Sequence, residues 1–394
     1  MSIADRWLLP DGVKEILPPQ ARQVEGVRRQ LLDLFHSWGY DLVMPPMIEY
    51  LDSLLTGTGN DLALSTYKVT DQLTGRLMGL RADTTPQVAR IDAHSLPREN
   101  TARYCYANSV LHTVPANMLA GRSPLQIGAE LYGHAGVDSD IEVICLMLES
   151  LQAAGIKSVV TLDLGHVAFY RALVAESGLD AEHESRLFEL LQGKEITELE
   201  ALLSSVNLSA ERAEQFRQLI RLSGGQDVLE RASVLLGGLS ESTDKALQDL
   251  KQVADAVRGC YPNVQLYFDL SELRGYNYHT GIVFAAYVPE YGQALVKGGR
   301  YDEIGKDFGR ARPATGFSAD LKVIAELTVA ERAVESSVLA PADTDAELHA
   351  KVAELRGSGE RVISRLPGDK SGASVFGCDR QLVKQNGSWV LADV

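Results

Sequence analysis

The sequence has no paired cysteines, no long apolar run and no surplus of positive charge, and each shortage removes a class of function. Its four cysteines, Cys105, Cys145, Cys260 and Cys378, stand far apart without a CxxC spacing. That argues against a zinc site and a disulfide framework, and reduced thiols in a cytoplasmic protein without a metal are expected. No stretch approaches the ~18 consecutive apolar residues of a membrane span. The start, MSIADRWLLPDG, lacks the apolar run after a basic segment that marks export. The formal charge of −15 disfavours non-specific attraction to nucleic acid, which leans on clustered Lys and Arg. No internal repeat and no low-complexity segment is present.

What is there is enough chain for a large domain and a smaller one, 394 residues of ordinary globular composition. Val24, Val27, Leu31, Leu34, Phe35 and Trp38 recur at helical spacing after Pro18-Pro19 and stop at Gly39. Residues 40–44 read as a strand that Pro45-Pro46 confines to an edge. Residues 67–80 read as a hairpin turning near Thr74-Gly75. The hairpin delivers LRADTTP, where Asp83 stands two residues before Thr85, a pairing suited to an ammonium group or to capping a helix that holds Val88 and Ile91. Residues 102–107 and 125–133 read as paired strands. In the second, Gln126 and Glu130 share a face, either solvent or a pocket floor. A helix over 140–154 and a strand over 158–164 follow.

From 167 to 262 the pattern is helical throughout, an insertion into a strand-rich core that spans 1–166 and 263–330. Strands are expected over 264–270 and 282–288. Between them lies LRGYNYHTG (273–281), in which Arg274, Tyr276 and Tyr278 supply polar groups and two glycines allow close approach. By itself this is a small-molecule site or a decorated hairpin. Residues 297–302, KGGRYD, read as a tight glycine turn, and 319–327 as a helix. The remainder, 335–394, reads as a small α/β domain, with a strand at 337–339, a helix at 345–355 and strands near 362–364 and 381–390. The fold class is α+β.

In this order, the pieces resemble the core of class II aminoacyl-tRNA synthetases, specifically histidyl-tRNA synthetase, over residues 5–327. The first helix with GYDLVMPPMIEY resembles the dimer-interface motif, and LRADTTP resembles LRPEGTA. QIGAE (126–130) is similar to the pocket-floor strand, LRGYNYHTG to LVRGLDYYTG, and GGRYD (298–302) to a second histidine-specific segment. ATGFS lies where the third motif begins. The resemblance implies a mostly antiparallel sheet flanked by helices. It also implies a histidine pocket in which Asp83 and Thr85 receive the ammonium, Gln126 bridges ammonium and carboxylate, and Glu130 meets the imidazole. Arg274, Tyr278 and His279 occupy the histidine-specific positions.

The departures fall on the ATP side. Where the second motif reads FRHE, this chain has Val110-Leu111-His112-Thr113, and Val323 stands in place of the arginine of GFAxGxERL. Adenylation depends on fixed cations at the developing charge, each worth ~10²-fold or more in rate. With Leu111 unable to hold a carboxylate, Arg122 or Arg300 is expected to take it over. A retained histidine pocket without ATP chemistry resembles the regulatory subunits of ATP phosphoribosyltransferase. For that family the resemblance implies a non-catalytic, self-associating chain that needs no cofactor. It assembles with a short-form catalytic subunit in a hetero-octamer, supports the first step of L-histidine biosynthesis and binds L-histidine for feedback inhibition. A divergent histidyl-tRNA synthetase and a histidine-binding regulator with another partner are the alternatives.

Overall fold

Helical spacing of Val24, Val27, Leu31 and Phe35 buries one stripe of α1 (Gln20–Ser37), and Gly39, at φ +82°, turns the chain out of it. The computed structural model describes residues 7–56, 60–115, 120–273, 278–328 and 336–394. The chain divides into two units, Met1–Val329 and Ala330–Val394.

In the first unit, α1 is followed by β1 (Asp41–Leu42), β2 (Ile48–Tyr50), α2 (Leu51–Leu54), α3 (Asn60–Ser65), β3 (Tyr67–Thr70), β4 (Leu77–Leu80) and α4 (Thr85–Arg90). β2, β4 and β3 make a three-stranded sheet whose hairpin turns at Gly75. Next come β5 (Ala102–Ser109), β6 (Leu125–Tyr132), α5 (Val137–Ala153) and β7 (Thr161–His166). The helical stretch holds α6 (Ala168–Ala175), α7 (Ala181–Gly193), α8 (Ile196–Ser205), α9 (Ala210–Leu219), the two-residue β8 (Ser223–Gly224), α10 (Asp227–Leu236) and α11 (Glu241–Cys260). A reciprocal capping box between Ser240 and Thr243 starts α11. β9 (Gln265–Asp269), β10 (Ile282–Val288), β11 (Tyr291–Arg300), β12 (Ala314–Asp320) and α12 (Leu321–Leu327) complete the unit.

Nine of these strands form one sheet, ordered β1-β5-β6-β12-β11-β10-β7-β9-β8. Only the β1–β5 and β7–β9 pairs are parallel. Because side chains alternate between faces, register sorts the sheet into two surfaces. Cys105, Ala129, Phe317, Gly298, Phe284 and Leu164 line up across six strands on the face covered by α1, α5, α11 and α12. The other face carries one row of Tyr104, Glu130, Gly316, Gly299, Val283 and Gly165, and beside it a row of Tyr106, Gly128, Ser318, Lys297, Ala285 and Asp163.

Two expectations change here. Gly298 and Gly299 lie inside β11 and form no turn. A Cβ on Gly298 would overlap the Phe284 ring and the Gly316 carbonyl, so glycine is there for close packing. The helix expected from 319 starts at Leu321, because residues 314–320 are a strand that sends Thr315, Phe317 and Ala319 into the core.

The second unit contains β13 (Ser337–Ala340), α13 (Ala346–Gly357), β14 (Arg361–Ser364), β15 (Arg380–Gln385) and β16 (Ser388–Asp393), with sheet order β14-β13-β15-β16. The run expected at 381–390 is thus a hairpin, turning at Asn386 and Gly387, both with positive φ. Val338, Leu348, Val352, Leu355 and Leu382 form this unit's own core. All four cysteines are free thiols: Cys105, Cys145 and Cys378 are buried, and Cys260 is exposed at the end of α11. Among the described residues no helix is long and apolar enough to cross a membrane.

Candidate functional site

The second sheet face is cleared of side chains where its glycines gather, and a cavity of about 200 Å³ opens there. A Cβ on Gly316 would overlap the Glu130 carboxylate, one on Gly128 would strike the Tyr106 hydroxyl, and one on Gly299 would come within 2.7 Å of the His279 ring. Glycine at these three positions leaves room for the polar groups around them.

Glu130 lies at the closed end, 1% exposed. Its Oε1 accepts from Thr85 Oγ1 at 2.9 Å and Tyr106 OH at 3.1 Å, and its Oε2 accepts from Tyr301 OH. Burial pushes the carboxyl up to about 8, against the hydroxyl donors, which pull it down. Above it Tyr278 stacks on Tyr301, with ring centroids 4.9 Å apart, and meets His279 edge to face at 5.4 Å. The Tyr278 hydroxyl is buried with no hydrogen-bond partner among the described residues.

Asp83 stands on the cavity wall, carried by the loop between β4 and α4. Its Oδ1 accepts from Gln126 Nε2 at 2.7 Å and from the Thr85 amide at 3.1 Å, while Gln126 Oε1 takes the Thr84 amide at 2.8 Å. The capping and pocket readings of Asp83 are therefore compatible, since one oxygen serves the backbone and the residue still lines the cavity. Gln126 itself is not part of the lining and positions Asp83 from behind. Buried Arg81 fixes the same loop through the carbonyls of Pro45 and Ser109, and His112 Nε2 donates to the Ala82 carbonyl at 2.9 Å.

The structure thus brings together Asp83, Thr85, Glu130, Tyr278 and His279, with Gln126 in support. Arg274 lies outside the described residues. The two arginines expected to replace a cation at Leu111 are engaged elsewhere. Arg122 donates to the carbonyls of His112 and Asp11, both at 3.1 Å, and lies over the Tyr67 ring. Every nitrogen of the buried Arg300 guanidinium is bonded, to Asp140, Asp302, Ser139 and the carbonyls of His134 and Gly136. Neither lines the cavity. The spacing of these residues gave no sign of those partners, most of which come from α5, the loop before it and the segments around Asp11 and His112.

At the positions that depart from the synthetase motifs, Val323 packs partly buried against the core, and Thr113 donates its hydroxyl to the Leu64 carbonyl. Lys322 Nζ is bonded to the Ser123 carbonyl at 2.5 Å. Tyr106, Ser318 and Lys297 were missed as site residues. Their signal was the two-residue alternation of β5, β12 and β11, which the glycines obscured. Among the described residues no three His, Cys, Asp or Glu side chains gather as a metal site.

The family model for histidyl-tRNA synthetase matches residues 12–324, and the model for the ATP phosphoribosyltransferase subunit HisZ C-terminal domain matches 335–392. A protein of Thioalkalivibrio sulfidiphilus named ATP phosphoribosyltransferase regulatory subunit is 54% identical, with both chains covered in full. The chain belongs to the ATP phosphoribosyltransferase regulatory subunit family. A regulatory subunit of that name from Pseudomonas aeruginosa is likewise 54% identical, over 100% of this chain and 99% of its own length. Among solved structures, a Bacillus halodurans protein described as an ATP phosphoribosyltransferase regulatory subunit/histidyl-tRNA synthetase superposes with a TM-score of 0.83 at 27% identity, covering 95% of this chain and 97% of that one. The histidyl-tRNA synthetase of Nostoc superposes with a TM-score of 0.76 at 20% identity over 98% and 97% of the two chains, a likeness of fold. The family places the chain in histidine biosynthesis on a class II synthetase-like fold.

Proposed function

We propose that this chain is a non-catalytic regulatory subunit that binds L-histidine in the cavity over β6, β12 and β11. It associates with the short-form catalytic subunit of ATP phosphoribosyltransferase, is required for that subunit's activity and transmits feedback inhibition by histidine. The observation that carries the reading is the sealed Glu130 carboxyl under Tyr106, Tyr301 and Thr85, with the Asp83 carboxylate on the wall of the same small cavity. An imidazole, whose unperturbed pKa is ~6.5, meets in Glu130 a carboxyl poised close enough to share one proton with it, and Tyr278 OH offers a partner to the second ring nitrogen. The ligand's ammonium then sits at Asp83. Leucine at 111 and valine at 323 leave ATP without the cations that adenylation needs.

Inhibition requires histidine to bind the less active assembly more tightly, because equal affinity shifts nothing. Calorimetry with L-histidine, with and without the short-form catalytic subunit, tests binding. Activity of the mixture with and without histidine tests transmission. The expected result is saturable binding, activation by this chain and inhibition on adding histidine. Histidine-dependent ATP–pyrophosphate exchange by the chain alone would overturn the non-catalytic reading, and the absence of a complex would remove the partner.

A further inference from the structure

The smaller unit carries a cavity of its own. It measures about 460 Å³ and lies beyond the carboxyl ends of the parallel strands β13 and β14, against the first two turns of α13. In open α/β sheets this is the edge at which ligands are held. Leu348 and Val352 of α13 give it an apolar wall, and Thr344, His349, Ser364 and Arg365 bring polar groups to it. We propose that this cavity binds the phosphate group of a small phosphate monoester, with Arg365 as the principal contact.

The Arg365 backbone is fixed, because its amide carries the β14 ladder one step further, to the Ala340 carbonyl at 2.9 Å. Its guanidinium has no such engagement. Among the described residues no acceptor takes one of its hydrogens, and Nε is buried without a partner. Asp369 is near enough to feel the charge, but its Oδ1 accepts from the Ser371 amide at 2.8 Å and makes no ion pair with the arginine. The buried arginines of the larger unit differ: Arg300 is matched to Asp140 and Arg312 to Asp92. A buried donor left unmade is costly, and a ligand oxygen at Arg365 would satisfy it.

The groups around Arg365 favour a phosphate over a carboxylate. A planar guanidinium fork can saturate both oxygens of a carboxylate by itself. A phosphate monoester has a third terminal oxygen, and more donors stand on the same cavity wall. They are the Thr344 hydroxyl, the His349 ring and the Ser364 hydroxyl, whose oxygen accepts from Arg356 Nη2 at 3.4 Å and whose proton is left to donate. Asp343 is the one carboxylate in the lining, and its Oδ1 already accepts from the Asp345 amide at 3.0 Å. The end of α13 is not the attraction, since Asp345 caps it by accepting from the Glu347 amide at 2.9 Å.

The test is calorimetry on the full chain with three probes that share a ring: phenyl phosphate, benzoate and benzyl alcohol. Phenyl phosphate is expected to bind saturably, benzoate at least about tenfold more weakly, and benzyl alcohol not detectably. Arg365→Met is expected to lose about tenfold or more in phenyl phosphate affinity, the worth of a charge-assisted hydrogen bond. Its denaturation midpoint stays that of the wild type, because the guanidinium it removes is unbonded in the fold. Thr344→Val, on the exposed rim, is expected to lose about threefold. The inference fails if the wild type binds phenyl phosphate no better than benzyl alcohol, or if benzoate binds as tightly as phenyl phosphate. It fails as well if Arg365→Met binds phenyl phosphate as the wild type does. Should Arg365→Met not fold, Thr344→Val decides, and an unchanged affinity in that variant overturns the inference.

Discussion

Burying Glu130 under three hydroxyl groups gives it a different proton affinity in the folded chain from that in the unfolded one. Its carboxyl rises from 4.5 to about 8 on folding. Between those values the native state holds a proton that the unfolded state has released, so this group's contribution to stability falls as pH rises from about 4.5 to about 8. Glu130→Gln cannot ionise. Its stability relative to wild type is expected to improve across that window by on the order of a few kcal/mol at most, while histidine binding is lost. Denaturant midpoints measured from pH 5 to 8.5 on both proteins check the sign, and a difference that does not vary with pH would contradict it. Glu130, Asp83 and Thr85 were legible in the sequence only through the resemblance of their segments to the synthetase motifs, because their spacing alone fits a helix cap or a solvent face as well. Tyr301 and Lys297 were not, because a residue beside a glycine pair gives no clue to its face until register is known.

At the scale of the strand, β11 uses its two central glycines for opposite purposes. Gly298 points into the core, where a Cβ would overlap the Phe284 ring, and Gly299 points into the cavity, where a Cβ would crowd His279. Gly298→Ala is therefore expected to destabilise the fold by about 1–3 kcal/mol through overpacking. Gly299→Ala is expected to weaken histidine binding as well as stability, since a Cβ there would come within 2.7 Å of the Ile282 carbonyl in addition to the His279 ring. Chemical denaturation and calorimetry on the two variants separate the effects, and unchanged histidine binding by Gly299→Ala would refute the assignment. The same pair explains the misread turn. Consecutive glycines are hairpin material when flanking residues are polar, but here they mark two close approaches within one strand. Helices were easier to read: α1, α5 and α11 repeat their apolar residues over 17 to 20 residues, long enough for the period to dominate.

For the whole chain, every described residue of the Glu130 cavity belongs to the unit Met1–Val329, and the unit Ala330–Val394 has a separate core. A protein ending at residue 329 is expected to bind histidine within about twofold of the full chain. Calorimetry on the truncated chain checks this, and loss of binding in a folded fragment would tie the second unit to the pocket. The change of character near residue 167 was legible because six helices in succession have a composition unlike that of the strands on either side. Pairing order across the nine-stranded sheet was not, since partners such as Ala129 and Phe317 are brought together by contacts far apart in sequence. The cysteines have a practical consequence. Burial holds the Cys105 and Cys145 thiols up at about 12 and about 11, and Cys378 is enclosed, so at neutral pH a maleimide dye meets a single accessible sulfur, at Cys260. The native chain comes with one labelling handle, at the end of α11 and outside the lining of the Glu130 cavity, through which assembly with a partner can be followed by fluorescence without engineering a cysteine.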